Sequence, residues 1–375
     1  MKKVFKILLV IIILLALACG GYYYYKVYMK NKGNEKTEVE KPVKKEEKKK
    51  VKIYDENSKE RNVAVMIDNN THAWPHSGIN SAYCIYEMEV EGGESRLMAL
   101  FKNKKDLDKV GPIRSARHYF LNYALEHDAI YTHIGQSPKA ESDLRTLNMA
   151  DVNGQWYDSM KPRNNANNKE FWREKSKVRP HNAYTTIAHI FEAAKERKYN
   201  LESEKGQVFK YSVDPITLDK ETSKAATKIT AGYAGGTNNR TVFNYDEEKK
   251  EYTKTSKGVK QVDELTKEPY TIKNLIILKA NTTHIDDKRL DVANVGTLEG
   301  YYITNGRAEK ITAKKESRSA KTKYFDETGK EIVFNDGRTY IMVIRTNYNI
   351  GIEGVEPEEP KKVEETNAKA EWGKI

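Results

Sequence analysis

After residue 60 the chain is dominated by short β-rich runs. VAVMID (Val63 to Asp68), AYCIYEMEV (Ala82 to Val90) and RLMALF (Arg96 to Phe101) read as strands, joined by Asn-, Pro- and Gly-rich turns. A helix is predicted from Pro112 to about His127, followed by a strand at Ala129 to Ile134 and a helix from Pro138 to about Leu147. Beyond a polar loop through NNANN comes a helix over Tyr184 to Arg197, with Ile187, Ile190, Phe191 and Ala194 on one face. From residue 227 the runs are short and alternating: RTVFNY, EYTKT, NLIILKA, RLDVANV, GYYIT, RAEKITA, TKYFD and TYIMVIR. Turn signals at Asp326 to Gly329 and Asn335 to Gly337 separate several of them. The pattern predicts an α+β protein: an N-terminal layered α/β domain with a mixed sheet, then a mainly antiparallel β domain.

The first 30 residues differ from the rest. Lys2, Lys3 and Lys6 precede an uncharged run from Ile7 to Tyr25, long enough to span a membrane, with tyrosines from Tyr22 to Tyr28 where an interfacial belt would lie. Ala16-Leu17-Ala18-Cys19 followed by Gly20 looks instead like a lipobox, with Cys19 as the lipidated residue and Ala16 in place of the usual leucine. Both readings tether the body to a membrane. The resulting division is residues 1–29 as leader or anchor, 30–54 as a charged linker, 55–200 as the N-terminal domain, 201–226 as a connection, 227–350 as the β domain and 351–375 as an acidic tail.

Charge sharpens this division. The net charge is +11, yet residues 1–50 carry 13 lysines against 5 glutamates, so only +3 belongs to the remainder. With a nearly balanced body, the high net charge is no argument for nucleic-acid binding, which would want a basic face on the domain itself, and no nucleic-acid partner is expected. The two cysteines, Cys19 and Cys84, make neither a disulfide framework nor a zinc motif, and Cys84 reads as a small buried hydrophobe.

Four places carry candidate chemistry. In YEMEVEGGESR, strand alternation puts Glu87, Glu89 and Glu91 on one face, where Arg96, Arg114 and Arg117 are the nearest cations in sequence. In KVGPIRSARHYF, Arg114, Arg117 and His118 fall in the first turn of the predicted helix, an end whose dipole repels cations, so they call for an anion. In HIGQSPK, Ser137 is an N-cap before Pro138, while a nucleophile reading would use His118, His133 or His181 as base. In VRPHNAY, His181 and Asn182 sit ahead of a helix, which favours a neutral base or a hydrogen-bonding role. Asp68, His72, His76, His118, His133 and His181 crowd this half, but none has the spacing of a known metal-ligand set. No metal or cofactor is expected.

AVMIDNN, the A-Y-x-I-Y-E-x-x-V-E-G-G-x-x-R pattern from Ala82 to Arg96, VGPIRSARHYF, the G-x-S-P turn at Gly135 to Pro138, FWREKS and PHNAYT together resemble the YerB-like family of bacterial membrane-associated lipoproteins. The similarity covers most of residues 55–200 and, more loosely, 227–350; in GVKQVD the family pattern places a histidine before the aspartate that this chain lacks. The resemblance implies an extracytoplasmic, lipid-anchored α+β protein and supplies no catalytic residues. From the residues, the leading expectation is a binding module in which Glu87, Glu91, Arg96, Arg114, Arg117, Ser137 and His181 surround a cleft for a polar anion. Such an anion would be a wall polymer, a peptidoglycan fragment or an acidic partner. The alternatives are a wall hydrolase or transferase using Glu91 and His181, and an assembly partner with no small ligand.

Overall fold

A computed structural model describes residues 2–34, 51–156, 171–233 and 240–354. The NNANN loop, most of the charged linker and nearly all of the acidic tail lie outside the described residues. The chain divides into two compact units, residues 1–49 and 50–375. The described part of the first is a helix, α1 (Lys2–Asn34), whose stretch Ile11–Lys30 is long and apolar enough to cross a membrane. It runs unbroken through Cys19-Gly20, and Cys19 is exposed.

In the second unit the elements begin with β1 (Val63–Asp68), β2 (Cys84–Glu89), β3 (Ser95–Phe101), α2 (His118–Glu126), β4 (Ile130–His133), α3 (Pro138–Thr146), β5 (Asp151–Asn153), β6 (Phe171–Arg173), β7 (Ala183–Thr185) and α4 (Ile187–Glu196). Short strands β8 (Tyr211–Ser212) and β9 (Lys224–Ala225) lead into β10 (Lys228–Gly232), β11 (Arg240–Asp246), β12 (Glu251–Ser256), β13 (Val259–Lys260) and β14 (Thr271–Ile272). The last are β15 (Asn274–Ala280), β16 (Thr282–His284), β17 (Leu290–Val292), β18 (Gly296–Thr304), β19 (Arg307–Lys315), β20 (Lys323–Asp326), β21 (Phe334–Asn335), β22 (Thr339–Arg345) and β23 (Gly351–Glu353).

An eleven-stranded sheet forms the frame, in the order β20-β19-β18-β15-β22-β2-β3-β1-β4-β5, with β9 added to β19. It is mixed. β1, β4 and β5 run parallel, as do β2, β22 and β15, whereas β15, β18, β19 and β20 are antiparallel. A second antiparallel sheet, β13-β12-β11-β10-β23, carries β14 on β12. The fold is α+β, with the mixed pairing concentrated in the N-terminal region and antiparallel pairing in the C-terminal region.

Burial on both faces explains why the central strands read as apolar runs. One face of the large sheet packs Ala64, Met66, Tyr86, Met88 and Met98 against Phe120 and Ala124 of α2 and Leu144 of α3. The other packs Val63, Val65, Ile67, Ile85 and Leu97 against Ile187 and Ile190 of α4 and against Ile229, Phe243 and Ile272 of the second sheet. Cys84 is wholly buried, as a small hydrophobe should be.

One predicted helix starts later than its sequence suggests. Residues 110–117 are extended, and α2 begins only at His118, with Arg117 as a cap at φ −128°, ψ 142°. The reason is non-local. The amides of Ile113, Arg114 and Ala116 donate to the carbonyls of Ala183, Met66 and Gly135, and Asp68 donates to Pro112, so the segment lies beside β1 like a fragment of strand. The last predicted helix is shortened for a related reason. Ala183–Thr185 pair with β6 before Thr186 caps α4 through the His189 amide at 3.0 Å.

Candidate functional site

The end of β1 and the extended segment beside it bring together most of the candidate chemistry. Register pairs Asp68 of β1 with Arg96 of β3, so a carboxylate and a guanidinium leave the sheet at one place. Asp68 is almost fully buried, and its Oδ2 lies 2.7 Å from His181 Nδ1 and 3.2 Å from Arg114 Nε. The first is a hydrogen bond that holds the imidazole; the second is a charge contact without hydrogen-bond alignment. The other oxygen, Oδ1, accepts from the Asn70 amide at 3.1 Å. Asn70 then caps the turn Thr71–Ala73, its Oδ1 standing 3.0 Å from the His72 amide and 2.9 Å from His72 Nδ1. His72 and His181 face each other with ring centroids 5.5 Å apart and planes inclined by 25°.

The three arginines have different fates. Arg117 is fully engaged: Nε and Nη2 donate to the two oxygens of Glu91 at 2.7 and 2.6 Å, and Nη1 donates to the Ala116 carbonyl at 2.7 Å. Burial alone would push the Glu91 carboxyl up, but this fork overrides it and holds the group below the usual carboxylate range. Arg96 is buried and donates from Nη1 to the Ser115 carbonyl at 2.8 Å. Burial, followed by the nearby charge of Arg117, lowers its pKa to about 10. Arg114 is different. Its side chain is 25% exposed, and among the described residues nothing bonds its two terminal nitrogens. Three guanidiniums therefore share two carboxylates, Asp68 and Glu91. The hydroxyl of Tyr131, close enough to feel Arg96 and Arg117, is also buried without a partner.

Two of the expected site residues sit elsewhere. Glu87 is sealed in the core, where its Oε2 takes hydrogen bonds from Lys254 at 3.0 Å and Tyr340 at 2.5 Å. Its Oε1 accepts from Asn69 at 3.1 Å and Ser95 at 2.6 Å. Its neighbour Glu89 is gripped by Arg345 at 2.7 and 2.9 Å. The cations nearest in sequence are therefore not the ones these two glutamates use. Ser137 caps α3 by accepting the Ala140 amide at 3.3 Å, so its hydroxyl serves the helix. Of the crowded histidines, His181 bonds the Asp68 carboxylate and His72 stacks on His181. His76 contributes from behind, with Nε2 2.6 Å from the Asp68 carbonyl and Nδ1 on the Tyr270 hydroxyl. His118 pairs with Asp291 at 2.8 Å, and His133 contacts the Gly135 carbonyl at 2.8 Å. Among the described residues no group of three or more His, Cys, Asp or Glu side chains could hold a metal ion.

Sequence reasoning set Asp68 and His72 aside because neither has regular spacing to another ligand. The signal for them was the AVMIDNN motif, in which a strand ends in an acid followed by two turn-forming asparagines.

Comparison with known proteins identifies the family of the chain. Residues 50–200 match the model "Protein of unknown function (DUF3048) N-terminal domain", and residues 229–341 match its C-terminal counterpart. Over 292 residues, 76% of this chain and 81% of the relative, the sequence is 30% identical to "Putative lipoprotein YerB" of Bacillus subtilis (strain 168). The crystal structure of the YerB protein from Bacillus subtilis superposes with a TM-score of 0.66 at 28% identity, covering 76% of this chain and 90% of that one. With the apolar stretch Ile11–Lys30, this similarity fits a chain attached to a membrane by its N-terminus. A shared sequence over most of both chains, both domain models and a common fold make this protein a member of the DUF3048, or YerB-like, family.

Proposed function

We propose that this protein is a membrane-tethered binding module, exposed on the extracytoplasmic face, that captures an anionic polar ligand of the cell envelope at Asp68, Arg96, Arg114 and His181. The observation that carries the reading is the open fork of Arg114. A guanidinium whose terminal nitrogens have no protein partner, beside a buried second guanidinium, is suited to bidentate capture of a phosphate or carboxylate. The excess of cations over carboxylates gives the same sign, and the orphaned Tyr131 hydroxyl supplies a further donor or acceptor beside them. Arg117 and Glu91 form the wall of this site and do not contact the ligand.

The test is thermal stabilisation of the full-length chain in detergent by inorganic phosphate, a glycerol phosphate oligomer and a muramyl peptide. A ligand bound only to the folded state raises the melting temperature with concentration. At least one probe should do so for wild type, with the effect lost in Arg114→Ala and kept in Ser137→Ala. Equal stabilisation of wild type and Arg114→Ala would refute the site.

A further inference from the structure

We infer that the same site carries an acid-base pair of imidazoles, His181 and His72, and hydrolyses a phosphodiester held by Arg114. The inference rests on the anion-binding reading above and adds chemistry to it. His181 gives Nδ1 to the Asp68 carboxylate at 2.7 Å, which fixes the ring and leaves Nε2 as its free nitrogen. His72 is fixed the same way by Asn70 Oδ1 at 2.9 Å from its Nδ1, again leaving Nε2 free. Among the described residues neither Nε2 has a partner. The rings lie 5.5 Å apart at 25°, close enough to serve two oxygens of one phosphate. Because Arg114 and His181 share a single oxygen of Asp68, an anion on the guanidinium fork lies beside the oriented imidazole.

The two orienting groups differ, which assigns the roles. Asp68 accepts from His181 Nδ1, so the bare Nε2 of this ring is the nitrogen placed to take a proton during reaction. Asn70 carries no charge, so His72 is the ring that gives one up. In the forward step a water oxygen forms a bond to phosphorus while His181 Nε2 takes one of the water protons. The bond from phosphorus to the leaving oxygen breaks and its electron pair stays on that oxygen; His72, which enters the step as an imidazolium with Nδ1–H on Asn70 and a second proton on Nε2, gives that Nε2 proton to the leaving oxygen and becomes neutral. Proton exchange through solvent resets both rings. The balance is one diester and one water giving one monoester and one alcohol. Glu91, held by Arg117, takes no part.

The experiment uses the full-length chain in detergent with two diesters, bis(4-nitrophenyl) phosphate and glycerophosphoglycerol, and measures phosphate binding by calorimetry in parallel. Wild type should turn over both. His181→Ala should lower kcat by about 100-fold or more on both substrates, a loss far larger than any weakening of its phosphate binding. His72→Ala should be nearly silent on the nitrophenyl ester, whose leaving group needs no proton, and strongly impaired on the glycerol ester. Arg114→Ala should raise KM and lose phosphate binding. If phosphate binds to wild type but neither diester is cleaved, or if cleavage survives His181→Ala, the acid-base pair is refuted and the binding module stands. If phosphate, glycerol phosphate oligomer and muramyl peptide all fail to bind, both proposals fall.

Discussion

Lys254 Nζ lies 3.0 Å from Glu87 Oε2, and both side chains are shut away from solvent between the two sheets. Burial lowers the lysine pKa while the glutamate charge opposes that shift, so the ammonium depends on its partner. Removing one partner strands the other. Lys254→Met should cost about 3 to 5 kcal/mol in urea unfolding, and the Glu87→Gln, Lys254→Met double variant should recover part of that loss. A single variant no less stable than the double would show the pair to be uncoupled.

Arg114 and Arg117, three residues apart, should behave oppositely when truncated. Arg117→Ala breaks a bidentate pair with a half-buried carboxylate and should lose about 1 to 3 kcal/mol. Arg114→Ala removes a partly exposed side chain with an open fork and should stay within about 0.5 kcal/mol of wild type. Melting curves of the two variants without ligand decide the matter. A large loss in Arg114→Ala would mean that this arginine is structural.

Acid should weaken the fold through two buried histidines. Burial drives His76 down to about 3 and His127 to about 4, so the folded state binds fewer protons there than the unfolded chain does. Their contribution is fully present above the ordinary histidine pKa of about 6.5 and is lost as pH falls below it. At pH 5 each should cost about 2 kcal/mol relative to neutral pH. Urea midpoints between pH 5 and 8 measure the slope, which should shrink in His127→Gln.

Glu309 works in the opposite direction. Burial, with the charges of Asp326 and Glu327, pushes its carboxyl up to about 7. The folded state therefore holds a proton that the unfolded chain releases, and stability falls as pH rises from about 4.5 through 7. Glu309→Gln should raise the melting temperature at pH 8 and leave it nearly unchanged at pH 4. Equal effects at both values would assign the gain to something other than charge.

The tether is tested at Cys19. In cells fed an alkyne fatty acid, wild type should take up label and Cys19→Ser should not. Label absent from wild type would assign the anchoring to the span Ile11–Lys30 itself, and label retained in the variant would place the lipid on a residue other than Cys19.

Local chemistry was legible in the sequence and long-range pairing was not. Ser137 could be read as a cap because its partner, the Ala140 amide, is three residues away. The strands read at 63–68 and 96–101 stand out because burial on both faces demands apolar side chains in succession. The start of α2 was misplaced because the amides of residues 113–116 find partners on β1, at residue 183 and at residue 135, which propensity cannot anticipate. The same limit hid the cations of Glu87 and Glu89, which come from Lys254 and Arg345. Asp68 and His181 are 113 positions apart, and they become neighbours because Pro112 accepts from the Asp68 amide while Ile113 donates to Ala183, two residues from His181.

The parallel pairing of β2 with β22 has a consequence for how the protein is made. Glu87 waits for Tyr340, and Glu89 for Arg345, across more than 250 residues of chain. Until that segment emerges, β2 is the border of an unfinished sheet, and an open border invites pairing with other chains. Two carboxylates pointing inward from that border repel such partners, because a stranger brings no matching cation to the right depth.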